Sequence, residues 1–186
     1  MIEFQNAGFF YRRRHPIFEN LNLCIKTGER VCFSAPSGWG KTTLFRLILG
    51  LETLKSGKRI CPADLRFSVV FQEDRLIEKK TVLQNVALFS DEETARKALR
   101  ELGLEECADR LPEQLSGGQC RRVAIARAIG HPFDLLLLDE PFTGLDAAAR
   151  QTAAEQILKA VGSKTLLLIS HDPLDANLLQ IDRTIP

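Results

Sequence analysis

One stretch decides the fold class: Val31-Cys32-Phe33-Ser34-Ala35-Pro36-Ser37-Gly38-Trp39-Gly40-Lys41-Thr42-Thr43. Its first three residues are apolar and predict a short buried strand. The apolar residues that follow it recur at helical spacing and predict one face of a helix. They are Leu44, Leu47, Ile48 and Leu51. A glycine-rich loop between a strand and a helix is the setting of a phosphate-binding P-loop. The stretch therefore predicts an α/β protein with a P-loop core.

The loop has the chemistry that phosphate binding requires. Backbone N–H groups at a helix start attract anions, and Gly38 and Gly40 let the backbone approach phosphate oxygens closely. Lys41 supplies a positive charge, and the Thr42 hydroxyl is the expected Mg²⁺ ligand. Ala35 stands where such loops usually begin with glycine, and we expect binding to survive this change. The predicted nucleotide-binding residues of the loop are Ala35, Pro36, Ser37, Gly38, Trp39, Gly40, Lys41, Thr42 and Thr43.

The rest of the chain alternates between strand and helix patterns. Strands are predicted over residues 2–11 and 17–26, and buried strands over 67–71, 135–138 and 165–169. Such alternation favours a parallel sheet. The predicted fold class is α/β: a P-loop NTPase core with a parallel sheet, an antiparallel β subdomain and a small helical subdomain. We predict a single domain over residues 1–186.

Residues 73–115 are predicted to form a mostly helical insert, and the helical subdomain is placed at about 73–130. Within it, Ser90 and Glu93 have the spacing of a helix-capping box. The small and apolar residues Ala95, Ala98, Leu99 and Leu102 then line one helical face.

An apolar run, Leu135-Leu136-Leu137-Leu138, ends in two carboxylates, Asp139 and Glu140. A buried strand would carry them to the carboxyl edge of the sheet, where α/β proteins bind ligands. We expect Asp139 to hold Mg²⁺ and Glu140 to act as the general base on an attacking water.

Composition excludes some classes of protein. The chain has 25 Lys and Arg against 24 Asp and Glu, a net charge of +1, whereas nucleic-acid-binding domains usually carry a strong basic excess. No nucleic-acid partner is therefore predicted. The five cysteines have neither metal-ligand nor disulfide spacing, and we interpret them as reduced thiols of a cytoplasmic protein. The sequence shows neither a signal peptide nor a membrane-spanning run of about eighteen apolar residues.

Leu115-Ser116-Gly117-Gly118-Gln119 is the most informative remaining motif. With residues 120–128 it closely resembles the signature of ATP-binding cassette (ABC) transporters, and the resemblance extends from about Tyr11 to Arg183. It implies that two copies pair head to tail and that ATP lies between the P-loop of one copy and the signature of the other. Ser116, Gly117, Gly118 and Gln119 would then contact the ATP that is bound to the partner copy.

The resemblance also implies roles for further residues. Tyr11 stands where the family stacks an aromatic ring on adenine, although a strand residue in the core is the alternative. Gln72 matches the glutamine that approaches Mg²⁺ and the attacking water, and it joins Glu140 and His171 as a catalytic residue. His171 matches the histidine that contacts the γ-phosphate. Asp146 matches an aspartate that contacts the partner copy, and it also caps a predicted helix. Trp39 is either a surface ring or a partner contact.

The implied protein is a Mg-ATPase that drives transport through a partner permease. A groove between the core and the helical insert, near Gln72, would receive a cytoplasmic helix of that permease. The insert is most similar to importers of the nitrate, taurine and sulphonate type, which would add a substrate-binding protein. A second ATPase copy, likewise implied, would complete a homodimer at the inner face of the plasma membrane. The alternatives are a non-transport ABC ATPase that acts on nucleic acid or ribosomes, and a P-loop kinase.

Overall fold

A computed structural model describes residues 1–12, 15–34 and 38–185 of the chain. The strands are β1 (Ile2–Arg12), β2 (His15–Ile25), β3 (Arg30–Phe33), β4 (Ser56–Ile60), β5 (Phe67–Val70), β6 (Leu135–Asp139), β7 (Thr165–Ile169) and β8 (Arg183–Ile185). The helices are α1 (Lys41–Ile48), α2 (Val82–Val86), α3 (Glu92–Glu101), α4 (Gly117–Ile129), α5 (Ala147–Val161) and α6 (Pro173–Leu178). The predicted α/β class is confirmed.

The central sheet has five parallel strands in the order β5-β6-β7-β3-β8. The P-loop follows β3, His171 follows β7, the carboxylate pair ends β6, and Gln72 follows β5. These four strands are neighbours and run in the same direction. Their carboxyl ends therefore bring four segments that are distant in sequence to one edge of the sheet.

A second, antiparallel sheet has the order β2-β1-β4. The alternating burial of β1 turns one face toward the interior, with Ile2, Phe4, Ala7 and Phe9 fully buried. This sheet packs with α1 over one face of the parallel sheet. Helices α2 to α5 cover the other face.

The buried strands of the parallel sheet divide their side chains between two cores. Leu135 and Leu137 of β6 belong to the core that includes α1 and the antiparallel sheet. Leu136 and Leu138 belong to the core that includes α2 to α5. Both faces of the sheet are thus covered, which explains why β6 is an unbroken apolar run rather than an alternating one.

The segment 73–115 contains α2, α3 and two short 3-10 turns, whereas residues 73–80 have no helix. Helix α4 packs on α2 and α3 but also on β5 and α5. The subdomain boundary at about 73–130 therefore stays a prediction. No helix in the described ranges is both long enough and apolar enough to cross a membrane.

Two local predictions are wrong. Helix α1 ends at Ile48, and Leu51 is 61% exposed instead of lying on the buried face. Gly50 has φ +73°, and the N–H groups of Gly50 and Leu51 bond back to Leu47 and Arg46, a geometry that turns the chain away from the helix.

The second wrong prediction concerns the start of α3. Asp91, rather than Ser90, caps this helix, and its carboxylate accepts hydrogen bonds from both the backbone N–H and the hydroxyl of Thr94. A charged acceptor with two donors at one residue caps better than a neutral hydroxyl.

Candidate functional site

A cavity of about 450 Å³ opens at the carboxyl edge of the parallel sheet. Its walls contain Ile17, Gly38, Gly40, Lys41, Thr42, Thr43, Gln72, Asp139, Glu140, Ile169 and His171. The strand order brings these residues together, because β5, β6, β7 and β3 end side by side. A polar cavity at this edge has the size and position expected of a ligand site in an α/β protein.

The start of α1 forms one wall of the cavity. Gly40 caps the helix with φ +101°, and a side chain there would place its Cβ 2.4 Å from Ile17 Cγ2. The first-turn N–H groups of the helix have no partner within the helix, and the helix dipole adds positive potential. This wall is therefore suited to an anion. The predicted binding residues Ala35, Pro36 and Ser37 lie outside the described residues.

Two carboxylates face this anion-binding wall. Burial raises the pKa of Asp139, and the neighbouring Glu140 charge raises it further. Burial also raises the pKa of Glu140. Glu140 has φ +48°, a conformation that costs energy in a residue with a side chain. The end of β6 thus holds two carboxylates whose ionised forms are disfavoured, and a bound cation would stabilise those forms.

Lys41 and His171 connect the two sides of the cavity. The Lys41 Nζ lies 3.1 Å from His171 Nε2, so the ammonium donates to the imidazole when Nε2 is unprotonated. The same Nε2 lies 3.8 Å from Glu140 Oε1. One imidazole nitrogen therefore faces both the cation of α1 and the carboxylate at the end of β6.

The oxygen donors in the cavity fit a small divalent cation. Asp139 is a buried carboxylate, Thr42 contributes an exposed hydroxyl and Gln72 an amide oxygen, and all three line the same cavity. Hard cations such as Mg²⁺ take oxygen ligands of this kind, together with water and phosphate. The raised pKa of Asp139 supports the fit, because a cation would compensate the buried negative charge.

Sequence reasoning missed two arginines that hold the segment after β5. Arg121 of α4 is buried, donates to the carbonyls of Phe71 (2.7 Å) and Gln72, and lies 3.2 Å from Asp74 Oδ1. Arg127 donates to the carbonyls of Asp74 (2.8 Å) and Arg75 (2.9 Å). A signal was present, since an arginine within an otherwise apolar helix is rarely buried without partners.

The segment 115–119 is placed differently from the other predicted site residues. Ser116 caps α4, and it exchanges hydrogen bonds with Gln119 in a capping box. Gln119 also donates to Cys107 Sγ at 3.5 Å. Ser116 and Gly117 are exposed, and none of the four residues 116–119 lines the cavity. The structure therefore brings the P-loop side together with Gln72, Glu140 and His171 but leaves this helix start outside.

Three more predicted residues lie outside the cavity wall. Tyr11 is 54% exposed at the end of β1 and packs edge-on against Phe9, which excludes the alternative of a core position. Trp39 is partly buried against Phe18, with ring centroids 5.4 Å apart, and whether it contacts a partner stays a prediction. Asp146 is exposed and caps α5 through the N–H of Ala149, as predicted.

A second cavity, of about 430 Å³, lies between the edge strand β5 and the segment that contains α2. We call it the edge groove and define it by its lining residues: Phe67, Ser68, Val69, Phe71, Arg75, Ile77, Leu88, Phe89, Arg127, Ala128 and His131. Phe89 is 68% exposed, and the Arg75 guanidinium lies 4.1 Å from the centre of the Phe71 ring. The groove combines an apolar floor with two arginines.

Comparisons with known proteins agree with this geometry. The family model described as ABC transporter matches residues 18–143. An aliphatic sulfonates import ATP-binding protein of Agrobacterium fabrum is 41% identical over 180 residues, covering 91% of this chain and 69% of the relative. A thiamine import ATP-binding protein of Photorhabdus laumondii is 35% identical over 196 residues, covering 95% of this chain and 82% of the relative.

Solved structures agree as well. A dimeric ATP-binding cassette in a post-hydrolysis state, bound to ADP and Pi, aligns with a TM-score of 0.84 at 29% identity. The alignment covers 96% of this chain and 91% of that cassette. A second dimeric structure of the same cassette aligns with the same score, identity and coverage.

Proposed function

This chain belongs to the ABC transporter family, and we propose that it is the ATP-binding and hydrolysing subunit that drives a substrate across a membrane through a separate permease. The observation that carries the proposal is a cavity in which an anion-binding helix start faces the buried Asp139, the partly buried Glu140 and a histidine. The relatives' names do not favour a role on nucleic acid or ribosomes. Family membership also speaks against a kinase.

ATP binding uses the start of α1. Lys41 and the first-turn N–H groups of α1 would hold the β- and γ-phosphates. Thr42 and Asp139, with Gln72, would hold Mg²⁺, which neutralises charge on these phosphates when bound. Tyr11 is exposed at the end of β1, where its ring is available to stack on adenine.

Hydrolysis requires a water that is polarised and aligned with the γ-phosphate. Glu140 is the proposed general base, and its raised pKa gives it a greater affinity for the proton that this water loses. His171 contacts Lys41 in the structure. Phosphate would draw the Lys41 ammonium away from the imidazole, and His171 would then face the γ-phosphate and Glu140.

The exposed start of α4 supports a head-to-tail dimer. Ser116, Gly117, Gly118 and Gln119 lie outside the chain's own cavity, and they expose a capped helix start that suits an anion. We propose that this helix start contacts ATP on a second, identical copy, and that Asp146 lies in the same interface. ATP would contact both copies only when they meet, so its binding favours closure.

The edge groove is the proposed docking site for a cytoplasmic helix of the permease. The apolar floor fits the apolar face of a helix, and Arg75 and Arg127 favour an acidic residue beside that face. Arg127 also holds the backbone next to Gln72, so docking and the catalytic cavity share one segment. The import relatives support an importer that acts with a substrate-binding protein, and a position on the cytoplasmic face of the membrane.

The test of the proposed function is ATP turnover by the purified chain with Mg²⁺. The wild type should hydrolyse ATP, and Glu140→Gln should lower kcat about 100-fold or more while ATP still binds. Size-exclusion chromatography with Mg-ATP should show Glu140→Gln as a dimer. Wild-type turnover in Glu140→Gln would remove Glu140 from the base role, and lack of ATP binding by the wild type would overturn the proposal.

The docking site has a separate test. Phe89→Asp places a charge on the apolar floor of the edge groove, so co-purification with the partner permease should be lost while basal ATP hydrolysis is kept. Leu51→Asp is the matched control, because Leu51 is similarly exposed but does not line the groove. Equal permease binding by both variants would show that the helix docks elsewhere.

A further inference from the structure

Arg150 of α5 is fixed against the turn that carries His171. Its Nη2 donates to Asp172 Oδ2 at 2.6 Å and to Asp175 Oδ1. The guanidinium also lies 5.8 Å from the centre of the Phe142 ring. Only 19% of the Arg150 side chain is exposed, against 5% for Asp175. Charge-assisted bonds in a largely buried setting hold a guanidinium in one place.

The residues on both sides of His171 belong to the same network. The Ser170 hydroxyl donates to Asp175 Oδ2 at 2.5 Å and accepts from the backbone N–H of Asp172 at 3.1 Å. Asp172 Oδ1 accepts from the N–H of Leu174 and so caps α6. Arg150 therefore reaches Ser170 through Asp175 and reaches Asp172 directly, which fixes the backbone that carries the imidazole.

The other end of the network lies one turn away, at the start of α5. The N–H of Arg150 bonds to the Asp146 carbonyl at 2.9 Å, and Asp146 caps the helix. Phe142, under the guanidinium, follows Glu140 by two residues. Arg150 thus connects the segment 143–146, whose last residue, Asp146, we place in the dimer interface, with the residues next to His171.

We propose that Arg150 is a positioning residue that holds the Ser170–Asp172 turn, so that His171 faces Glu140 and the γ-phosphate when the segment 143–146 meets the partner copy. The inference rests on the proposed function. Arg150 does not line the cavity, so the proposed role requires no contact with ATP. Its effect on hydrolysis passes through the orientation of His171.

The first test compares three variants in steady-state ATP hydrolysis. Arg150→Gln removes the charge, Arg150→Lys keeps a charged donor, and Lys159→Gln is the control, because Lys159 lies on the same helix and pairs with Glu101 far from the cavity. Arg150→Gln should lower kcat about 10- to 100-fold with the ATP KM within about twofold, and Arg150→Lys should recover most of kcat. A kcat of Arg150→Gln equal to that of Lys159→Gln would overturn the proposal.

The second test reads His171 directly and does not depend on turnover. The chain has three histidines, so nuclear magnetic resonance of labelled imidazoles resolves His171 against His15 and His131 as internal references. Arg150→Gln should shift only the His171 signals. Unchanged His171 signals would refute the positioning role even if the chain hydrolysed no ATP, in which case the proposed function would fail separately.

A further variant separates a positioning defect from misfolding, because it keeps the ion pair between Arg150 and the buried Asp175. Asp172→Asn weakens only the more exposed half of the network, since the Asp172 side chain is 44% exposed and an asparagine oxygen can still cap α6. It should show the same selective loss of kcat, of about tenfold, with wild-type thermal unfolding. Wild-type kcat in Asp172→Asn together with unshifted His171 signals would overturn the proposal.

Discussion

The two helix starts that the sequence marks for phosphate, those of α1 and α4, differ in their surroundings. The start of α1 faces Glu140 and His171 in one cavity, and Lys41 already contacts the imidazole. The start of α4 is exposed, has the N–H groups of Ser116 and Gln119 bonded within the capping box, and does not line that cavity. One helix start is built into a site, and the other is presented to something outside the chain.

In the proposed head-to-tail dimer, each folded chain would hold half of each active site. The residues that bind and attack a phosphate are assembled by the parallel sheet, whose strand ends lie side by side. The second helix start is fixed by its own cap and by Arg121, which ties α4 to the carbonyls of Phe71 and Gln72. The two helix starts are therefore held in a fixed relation within one chain, and in the proposed dimer they would meet only between two copies.

The largest expected effect comes from mixing two inactive variants, one altered at the start of α1 and one at the start of α4. Lys41→Ala removes the cation at α1. Gly117→Glu puts a carboxylate at the start of α4, where a Cβ has no atom within 4 Å in the chain itself. Each variant alone should lose ATP turnover about 100-fold or more. Mixed dimers should regain it at one site, with about a quarter of all sites intact if chains exchange at random.

The controls separate charge from size. Gly117→Gln fills the same space without a charge and should retain more activity than Gly117→Glu. ATP should bind normally to Gly117→Glu, because its own α1 is intact. If the mixture were as inactive as its components, the α4 start would not act on the partner copy.

The next largest effect concerns Arg121, which connects α4 with the segment after β5 that carries Gln72. Arg121→Met removes two hydrogen bonds to carbonyls and leaves Asp74 without its partner, so unfolding should become easier by about 3 kcal/mol. Arg122→Met is the neighbouring control. The Arg122 Nη1 makes one bond, to the Leu102 carbonyl at 2.9 Å, and its loss should cost only about 1 kcal/mol. Urea unfolding measures both, and equal losses would contradict the connecting role of Arg121.

The contrast also marks what the sequence could predict. The order of apolar runs predicted the parallel sheet, because β6 and β7 are buried on both faces and leave continuous apolar segments. Strand ends then carried Gln72, Asp139, Glu140 and His171 to one edge, as expected. The local strand pattern predicted the place of Asp139 and Glu140, whereas Gln72 and His171 were identified through the family resemblance.

The remaining features depend either on contacts between distant segments or on competition between neighbouring residues at a helix end. Arg121 and Arg127 bind backbone carbonyls about fifty positions away, and carbonyls leave no trace in the sequence. Leu51 matched the helical spacing but follows Gly50, whose left-handed conformation ends the face. Asp91 caps α3 in place of Ser90, because its carboxylate accepts from the Thr94 hydroxyl as well as from the Thr94 N–H.

A smaller effect tests whether the α4 start is more than a helix cap. Ser116→Ala and Asp91→Ala each remove one cap, of α4 and of α3, and each should lower the free energy of unfolding by about 1 kcal/mol. Only Ser116→Ala should also lower ATP turnover, because only α4 is proposed to contact phosphate. A similar loss of turnover in both variants would mean that stability alone explains the effect of Ser116.

The smallest expected effect concerns the loss of stability caused by burying the Glu140 carboxylate in the cavity beside α1. Burial raises the pKa of Glu140 above the ordinary value of 4.5, so the folded chain favours the protonated carboxyl. The stability that this group contributes is therefore complete below about pH 4.5 and is lost as the pH rises through the folded-state pKa. Glu140→Gln should melt at a higher temperature than the wild type at about pH 7, and the difference should vanish at about pH 4.

The exposed Glu113 provides the control for this last measurement, and Glu113→Gln should change the melting temperature at neither pH. Nucleotide-free protein is required, since ligand binding stabilises the folded state by itself. A lower melting temperature for Glu140→Gln at about pH 7 would mean that the ionised carboxylate stabilises the empty site. Burial of the proposed base would then not lower the free energy of unfolding. The strained backbone at Glu140 would be the destabilising feature that remains at this site.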